Sequence, residues 1–306
     1  MNKSLVLLLI VLLCASSLVI AVKLPLAEAE QLVGLITIQS DGSVVPQTDY
    51  IKQKGNVYYL TQSLSSHRLD INCSNIVFDG QGHTINGSNY YVLGGKGIAL
   101  ENINNVTIRD VEVVGYFEPS ISLSNCSDIT ILRVQTDAKA GLVVDISGSI
   151  YLEESNNNKI INCDTGVRVQ SGSGNTIYGN NVTLLINSPN NLIYYNNIEV
   201  NYYLSYGVNA TRYPIALLGA TLNRWDNGTV GNYWSDYKGQ GVYQLAENNI
   251  DHYPLTQRVA IPSIANMTSP FPTVPELSWL VLIPLMIMML FVIVALRHRK
   301  TTYLNK

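Results

Sequence analysis

Asn175-Thr176-Ile177-Tyr178 and Asn191-Leu192-Ile193-Tyr194 are two copies of one unit: Asn or Asp, any residue, a β-branched or similar apolar residue, then an apolar or aromatic one. Four copies precede them, Asn75-Ile76-Val77-Phe78, Asn105-Val106-Thr107-Ile108, Asp128-Ile129-Thr130-Ile131 and Asn158-Lys159-Ile160-Ile161. The six starts are separated by 30, 23, 30, 17 and 16 residues. A second unit alternates with the first, as Gly97-Ile98-Ala99-Leu100, Ser120-Ile121-Ser122-Leu123, Gly141-Leu142-Val143-Val144 and Gly166-Val167-Arg168-Val169. Each reads as a short strand, and none of the region carries a helical period. Hairpins would need paired strands joined by tight turns, whereas equivalent strands here recur about once per twenty residues. Stacked coils satisfy that spacing: each coil bonds to those above and below, apolar residues line a continuous interior, and Asn or Gly takes the corners of positive φ. The expected fold is therefore all-β, a parallel β-helix, with a β-sandwich and a propeller as the alternatives.

The same register makes further expectations. Asp79 and Arg109 stand four residues past successive unit starts, and Asp110 and Arg133 stand five past, so each couple is expected to pair across coils as an exposed ion pair. The ends of such a stack must be covered. Residues 30–70 are assigned to an N-terminal cap, 71–222 to the coils and 223–257 to a C-terminal cap dense in aromatic residues.

The chain's termini read differently from its middle. Met1-Asn2-Lys3 precedes an apolar run from Leu5 to about Val22, a signal peptide with cleavage after Ala21 or Ala29, or else a signal anchor. Residues 258–276, with Pro262, Pro270, Pro272 and Pro275, read as an extended stalk. Leu277 to Leu296 carries no charge and is long enough, at about 30 Å, to span a bilayer as a transmembrane helix. The basic tail 297–306, opening Arg297-His298-Arg299-Lys300, should stay cytoplasmic, which puts residues from about 30 to 270 outside the cell, a surface protein with the membrane as its partner. Sequons at Asn72, Asn86, Asn105, Asn125, Asn181, Asn209, Asn227 and Asn266 agree with export and are the candidate glycosylation sites.

A net charge of −3 without a basic stripe gives a nucleic-acid partner no support. Cys73, Cys126 and Cys163 remain after export, too few for a disulfide-stapled fold, and read as core or corner fillers. His67, His83, His252 and Met267 are scattered, so no cofactor and no metal site are expected. Catalytic residues are not assigned either. Asp79 and Asp110 fall at positions of opposite parity, and Asp79 in Asp79-Gly80-Gln81-Gly82 reads as a turn residue. Asp145, Glu153, Glu154 and Asp164 remain as acids able to share a face, which keeps a polysaccharide lyase or glycoside hydrolase as an alternative. Trp225, Tyr233, Trp234 and Tyr237 are the candidates for stacking on the sugar rings of an extracellular glycan, against the reading that the tryptophans are buried in the cap.

Ile36-Thr37-Ile38-Gln39-Ser40-Asp41-Gly42-Ser43, Gly55-Asn56-Val57-Tyr58-Tyr59-Leu60-Thr61 and Asn75-Ile76-Val77-Phe78-Asp79-Gly80-Gln81-Gly82-His83-Thr84-Ile85 resemble the first coils of NosD-like β-helix proteins, common among archaeal surface proteins. So does Asn223-Arg224-Trp225-Asp226-Asn227-Gly228-Thr229-Val230-Gly231-Asn232-Tyr233-Trp234-Ser235-Asp236-Tyr237, followed by Asn249-Ile250-Asp251-His252-Tyr253-Pro254-Leu255. The resemblance covers about residues 34–257 and implies a right-handed helix of pectin-lyase-like fold. It implies function less directly, since the family is named for a copper-binding accessory protein. Val274-Pro275-Glu276-Leu277 also resembles a C-terminal sorting signal. Where relatives often carry an acidic loop suited to calcium, this chain has only Gln240-Gly241-Val242.

Overall fold

In a computed structural model the described residues are 34–87, 95–115, 117–137, 149–200 and 222–262. The signal-peptide, transmembrane and tail segments and most of the stalk lie outside them, as do Asp145, Asn209 and Asn266. Among the described residues there is no helix, and none therefore long and apolar enough to cross a membrane. Twenty strands form one largely parallel sheet that coils into a nearly closed, solenoid-like stack, and two more form an antiparallel hairpin, Tyr243–Ala246 with Asn249–Asp251.

The stack has three faces. The first runs Val57–Leu60, Val77–Asp79, the start of Thr107–Val114, the start of Thr130–Thr136, Lys159–Ile161, Thr176–Tyr178 and Leu192–Tyr194, all in parallel pairing. The second runs Leu64–Ser65, Thr84–Asn86, the later halves of the two long strands, then Asp164–Val169, Asn181–Ile186, Asn197–Ile198 and Tyr233–Trp234. The third holds Gly34–Ile38, His67–Ile71, Ile98–Glu101, Ile121–Ser124, Ser149–Glu153 and the ends of Asp164–Val169 and Asn181–Ile186. The stack thus begins before residue 71: Val57–Leu60 and Gly34–Ile38, assigned to a cap, are parallel rungs. Asn223–Trp234 likewise forms a last partial coil, with Arg224 bridging Leu192.

Alternation places one side chain of every rung inside. On the first face these are Tyr58, Phe78, Ile108, Ile131, Ile160, Ile177 and Ile193, all buried. Burying each Ile contributes about 1.5–3 kcal/mol, so this column alone is a large favourable term. The corners are left-handed, as Asn-rich sequence requires: Asn75, Asn105, Asp128, Asn157 and Asn190 have φ of 63, 51, 56, 56 and 62°. That row corrects the sequence register by one residue. Lys159 pairs with Thr130, so Asn157, not Asn158, is the equivalent of Asp128. Asn158, Asn175 and Asn191 occupy the next position, which faces inward and holds Ile76, Val106 and Ile129 in earlier coils.

Two coils run only 17 and 16 residues between first-face rungs. Longer ones take up their extra residues after the second face: 88–94 and 138–148 fall between second- and third-face strands, and 201–221 follow Asn197–Ile198.

Candidate functional site

Three groups of residues lie outside the apolar column. The first is a charge ladder where the first face turns into the second. Arg109 donates to Asp79 Oδ2 from Nε at 3.0 Å and from the second guanidinium nitrogen at 2.7 Å. Arg133 engages Asp110 with both prongs, at 2.6 and 2.7 Å. Both pairs are those the unit spacing gave. Their surroundings differ from the expectation in two ways. The carboxylates are not exposed: the Asp79 and Asp110 side chains retain 1% and 6% of their accessible surface. Nor do they diverge, since Arg109 Nε also lies 3.8 Å from Asp110 Oδ2. Left-handed backbone at Asp110 (φ 53°) and Arg133 (φ 52°) breaks the alternation on which the parity argument rested. Asp79 Oδ1 accepts the Gln81 backbone N–H at 2.9 Å, the turn role expected of it.

The second group is a pair of buried amide ladders that end in the aromatic cap. Asn158, Asn175, Asn191 and Asn223 each donate a backbone N–H to the side-chain oxygen one coil further on, at 2.9, 3.1, 2.9 and 3.3 Å, finishing at Asn249. In parallel, Cys163, Asn180, Asn196 and Asn232 do the same at 2.8, 3.0, 3.2 and 2.7 Å, finishing at Asp251. Each inward amide thereby satisfies backbone groups at a corner where strand pairing lapses. Cys163 heads the second ladder in the place an Asn holds elsewhere, and burial pushes its thiol up to about 12, so it is inert packing. Cys73, Cys126 and Cys163 are all free thiols.

The cap closes over the ladder ends. Trp225 Nε1 donates to Asn249 Oδ1 and Trp234 Nε1 to Asp251 Oδ2, each at 2.9 Å. Both indoles are fully buried, and Trp234 stacks on Tyr243 with centroids 4.2 Å apart. Of the two readings given for these tryptophans, burial in the cap is the one the structure has, and their ring faces are not open for stacking on a sugar. Tyr233 and Tyr237 are partly exposed, the former beneath the Arg258 guanidinium and the latter bonded to the Gly241 carbonyl. A side chain at Gly231 would overlap the Asp251 carboxylate, so glycine is required there by close approach.

Burial raises Asp251 above its ordinary value of 3.8, opposed by hydrogen bonds from Asn232, Trp234 and Tyr253. Because the folded state then binds the proton more tightly than the unfolded chain, this residue favours folding most below 3.8, and that contribution is lost as pH rises through the raised folded value. Asp251→Asn keeps one acceptor and removes the titration. Urea unfolding of the two proteins should show the wild type losing stability relative to the variant between acid and neutral pH; parallel pH profiles would contradict the assignment.

The third group lies outside on the first face and was not singled out from sequence. Val77, Thr107, Thr130, Lys159, Thr176 and Leu192 form one outward column, and Asp79, Arg109, Leu132, Ile161, Tyr178 and Tyr194 form the other. From Thr107 onward every member is at least partly exposed. Tyr178 and Tyr194 stack on each other with centroids 5.3 Å apart. The signal was present in the sequence: an apolar or aromatic residue directly follows the inward Ile in Ile131-Leu132, Ile160-Ile161, Ile177-Tyr178 and Ile193-Tyr194, against simple alternation.

Of the candidate glycosylation sites, Asn72, Asn105, Asn125 and Asn227 are exposed, and Asn86 and Asn181 are half-buried. His67 bonds to the Ser65 carbonyl and His252 to Asp226, and among the described residues no three His, Cys, Asp or Glu side chains are grouped to hold a metal. Compared with known proteins, the chain matches no family model, no curated protein and no solved structure.

Proposed function

We propose that the chain is a non-enzymatic surface protein, held at the membrane by residues 277–296, whose right-handed parallel β-helix of NosD-like, pectin-lyase-like type binds an extended glycan along its first face. The observation that carries this reading is the double stripe on that face. A hydroxyl- and amine-bearing column (Thr107, Thr130, Lys159, Thr176) runs beside an apolar and aromatic one (Leu132, Ile161, Tyr178, Tyr194), with one step of about 4.8 Å per coil. Sugar rings have an apolar face and a hydroxylated rim, and such a pair of stripes offers a partner to each. Right-handedness is the hand that parallel crossover connections adopt. Glycans of the chain's own at Asn72, Asn105, Asn125 and Asn227 suit an exported surface.

The test is glycan-array binding by the full-length chain and by a Tyr178→Ala/Tyr194→Ala variant. Binding by the wild type that falls roughly fivefold or more in the variant is expected, since each stacked ring is worth about 0.5–1.5 kcal/mol; equal binding by both, or none, overturns the reading. A lyase or hydrolase is the second reading, favoured by the convergence of Asp79 and Asp110 on Arg109. Against it, each carboxylate is engaged by an arginine at under 3.1 Å. Release of reducing or unsaturated ends from bound glycans would establish it.

A further inference from the structure

The chain does not leave the cap directly. Leu255 donates its N–H to the Asn232 carbonyl at 2.8 Å, and the following residues lie back against the second face. There Asn197 acts as a clasp: its Oδ1 accepts the Val259 N–H at 2.7 Å and its Nδ2 donates to the Val259 carbonyl at 2.8 Å. Arg258 pairs with Glu199 and sits with its guanidinium carbon 5.5 Å from the Tyr233 ring centre. The contacts are few and polar: the Asn197 amide is itself buried, whereas the Arg258 and Glu199 side chains are 50% and 45% exposed. An attachment of this kind is screened by salt and opens far more readily than the coils.

Arg258 holds a singular place in the sequence. Between Lys238 and Arg297 there is no other Lys or Arg. A protease specific for basic residues therefore has one place to cut between the cap and the apolar run. A protease cleft takes its substrate as a free extended strand, whereas Val259 has both backbone groups committed to Asn197 and the Arg258 side chain is held on the sheet face.

We propose that residues 255–259 form a releasable latch concealing the Arg258–Val259 peptide bond, so that cleavage there awaits the latch leaving the second face. The reaction is hydrolysis by a serine-type protease of basic specificity: water adds across the amide, leaving a carboxylate on Arg258 and an amine on Val259. The latch stands on the described contacts. Only its consequence, shedding of the solenoid from the cell, rests on the membrane-anchored reading.

The experiment is limited trypsin digestion of the full chain in detergent micelles, following by mass the fragment that begins at Val259. Asn197→Ala removes the clasp, and Glu199→Gln weakens the latch at an exposed position that leaves the coils untouched. Losing two backbone-type hydrogen bonds should speed cleavage after Arg258 roughly tenfold or more in Asn197→Ala, with a smaller gain in Glu199→Gln and in the wild type at high salt. Cleavage after Arg258 at one rate in all three proteins overturns the proposal, as does resistance of that bond in Asn197→Ala while thermal melting shows its coils intact. Partition of the two fragments between detergent-rich and aqueous phases reports separately on membrane anchorage.

Discussion

Replacing Asp110 by Ala is expected to destabilise the fold by about 3–5 kcal/mol, because it leaves arginine charge in a partly desolvated corner without its partner. Arg133 is held by both oxygens of Asp110, and its side chain is only 19% exposed. A guanidinium stays protonated at any ordinary pH, so in the variant Arg133 cannot shed its charge to escape the penalty. Arg109, 3.8 Å from the same carboxylate, loses half of its acidic surroundings as well. The check is the midpoint of urea unfolding at unchanged slope. Asp110→Ala combined with Arg133→Met should recover a large part of the loss, since an apolar replacement of both partners removes the unpaired charge. A single variant that loses under about 1 kcal/mol, the range of a surface pair, would show that the ladder is solvated after all.

Asn196→Leu is expected to cost a similar amount, about 3–5 kcal/mol, although it puts a larger apolar side chain into an apolar interior. Asn196 accepts from the Asn180 N–H and Nδ2 at 3.0 and 2.9 Å and donates to the Ile177 and Tyr194 carbonyls and to Asn232 Oδ1, each at 2.9 Å. Leucine offers none of these, and an orphaned buried group costs about 1–3 kcal/mol. By contrast Ile177→Val, one coil away in the apolar column, should lose only about 0.5–1.5 kcal/mol. The two variants compared by urea unfolding decide the matter: if Asn196→Leu is as mild as Ile177→Val, water has replaced the amide and the ladder is not continuous.

The fold was legible because spacing alone distinguishes stacked coils from hairpins. The repeat unit located every first-face rung, but Ile160, Ile177 and Ile193, one residue before the position the unit aligned with Ile108 and Ile131, are the ones that face inward. What escaped was local. In Asn156-Asn157-Asn158 the same residue type serves as a left-handed corner at Asn157 and as a buried ladder member at Asn158, and nothing in three consecutive Asn says which is which. Parity failed at Asp110 for a related reason: Asp tolerates positive φ without announcing it as Gly does, so the alternation was carried through a residue that interrupts it. The cap residues were recognisable as a group, but aromatic content alone does not tell a covered ring from an open one. Trp225 and Trp234 are covered because Asn249 and Asp251, some twenty residues later, return to meet their N–H groups.

The length differences among coils collect after the second face, while the rungs on either side keep strict register. Such an arrangement separates what may vary from what must not. Segments could be lengthened, exchanged or grafted at that seam over evolutionary time, or by an engineer, and each graft would project from the same side of the column at a height chosen by the coil that carries it.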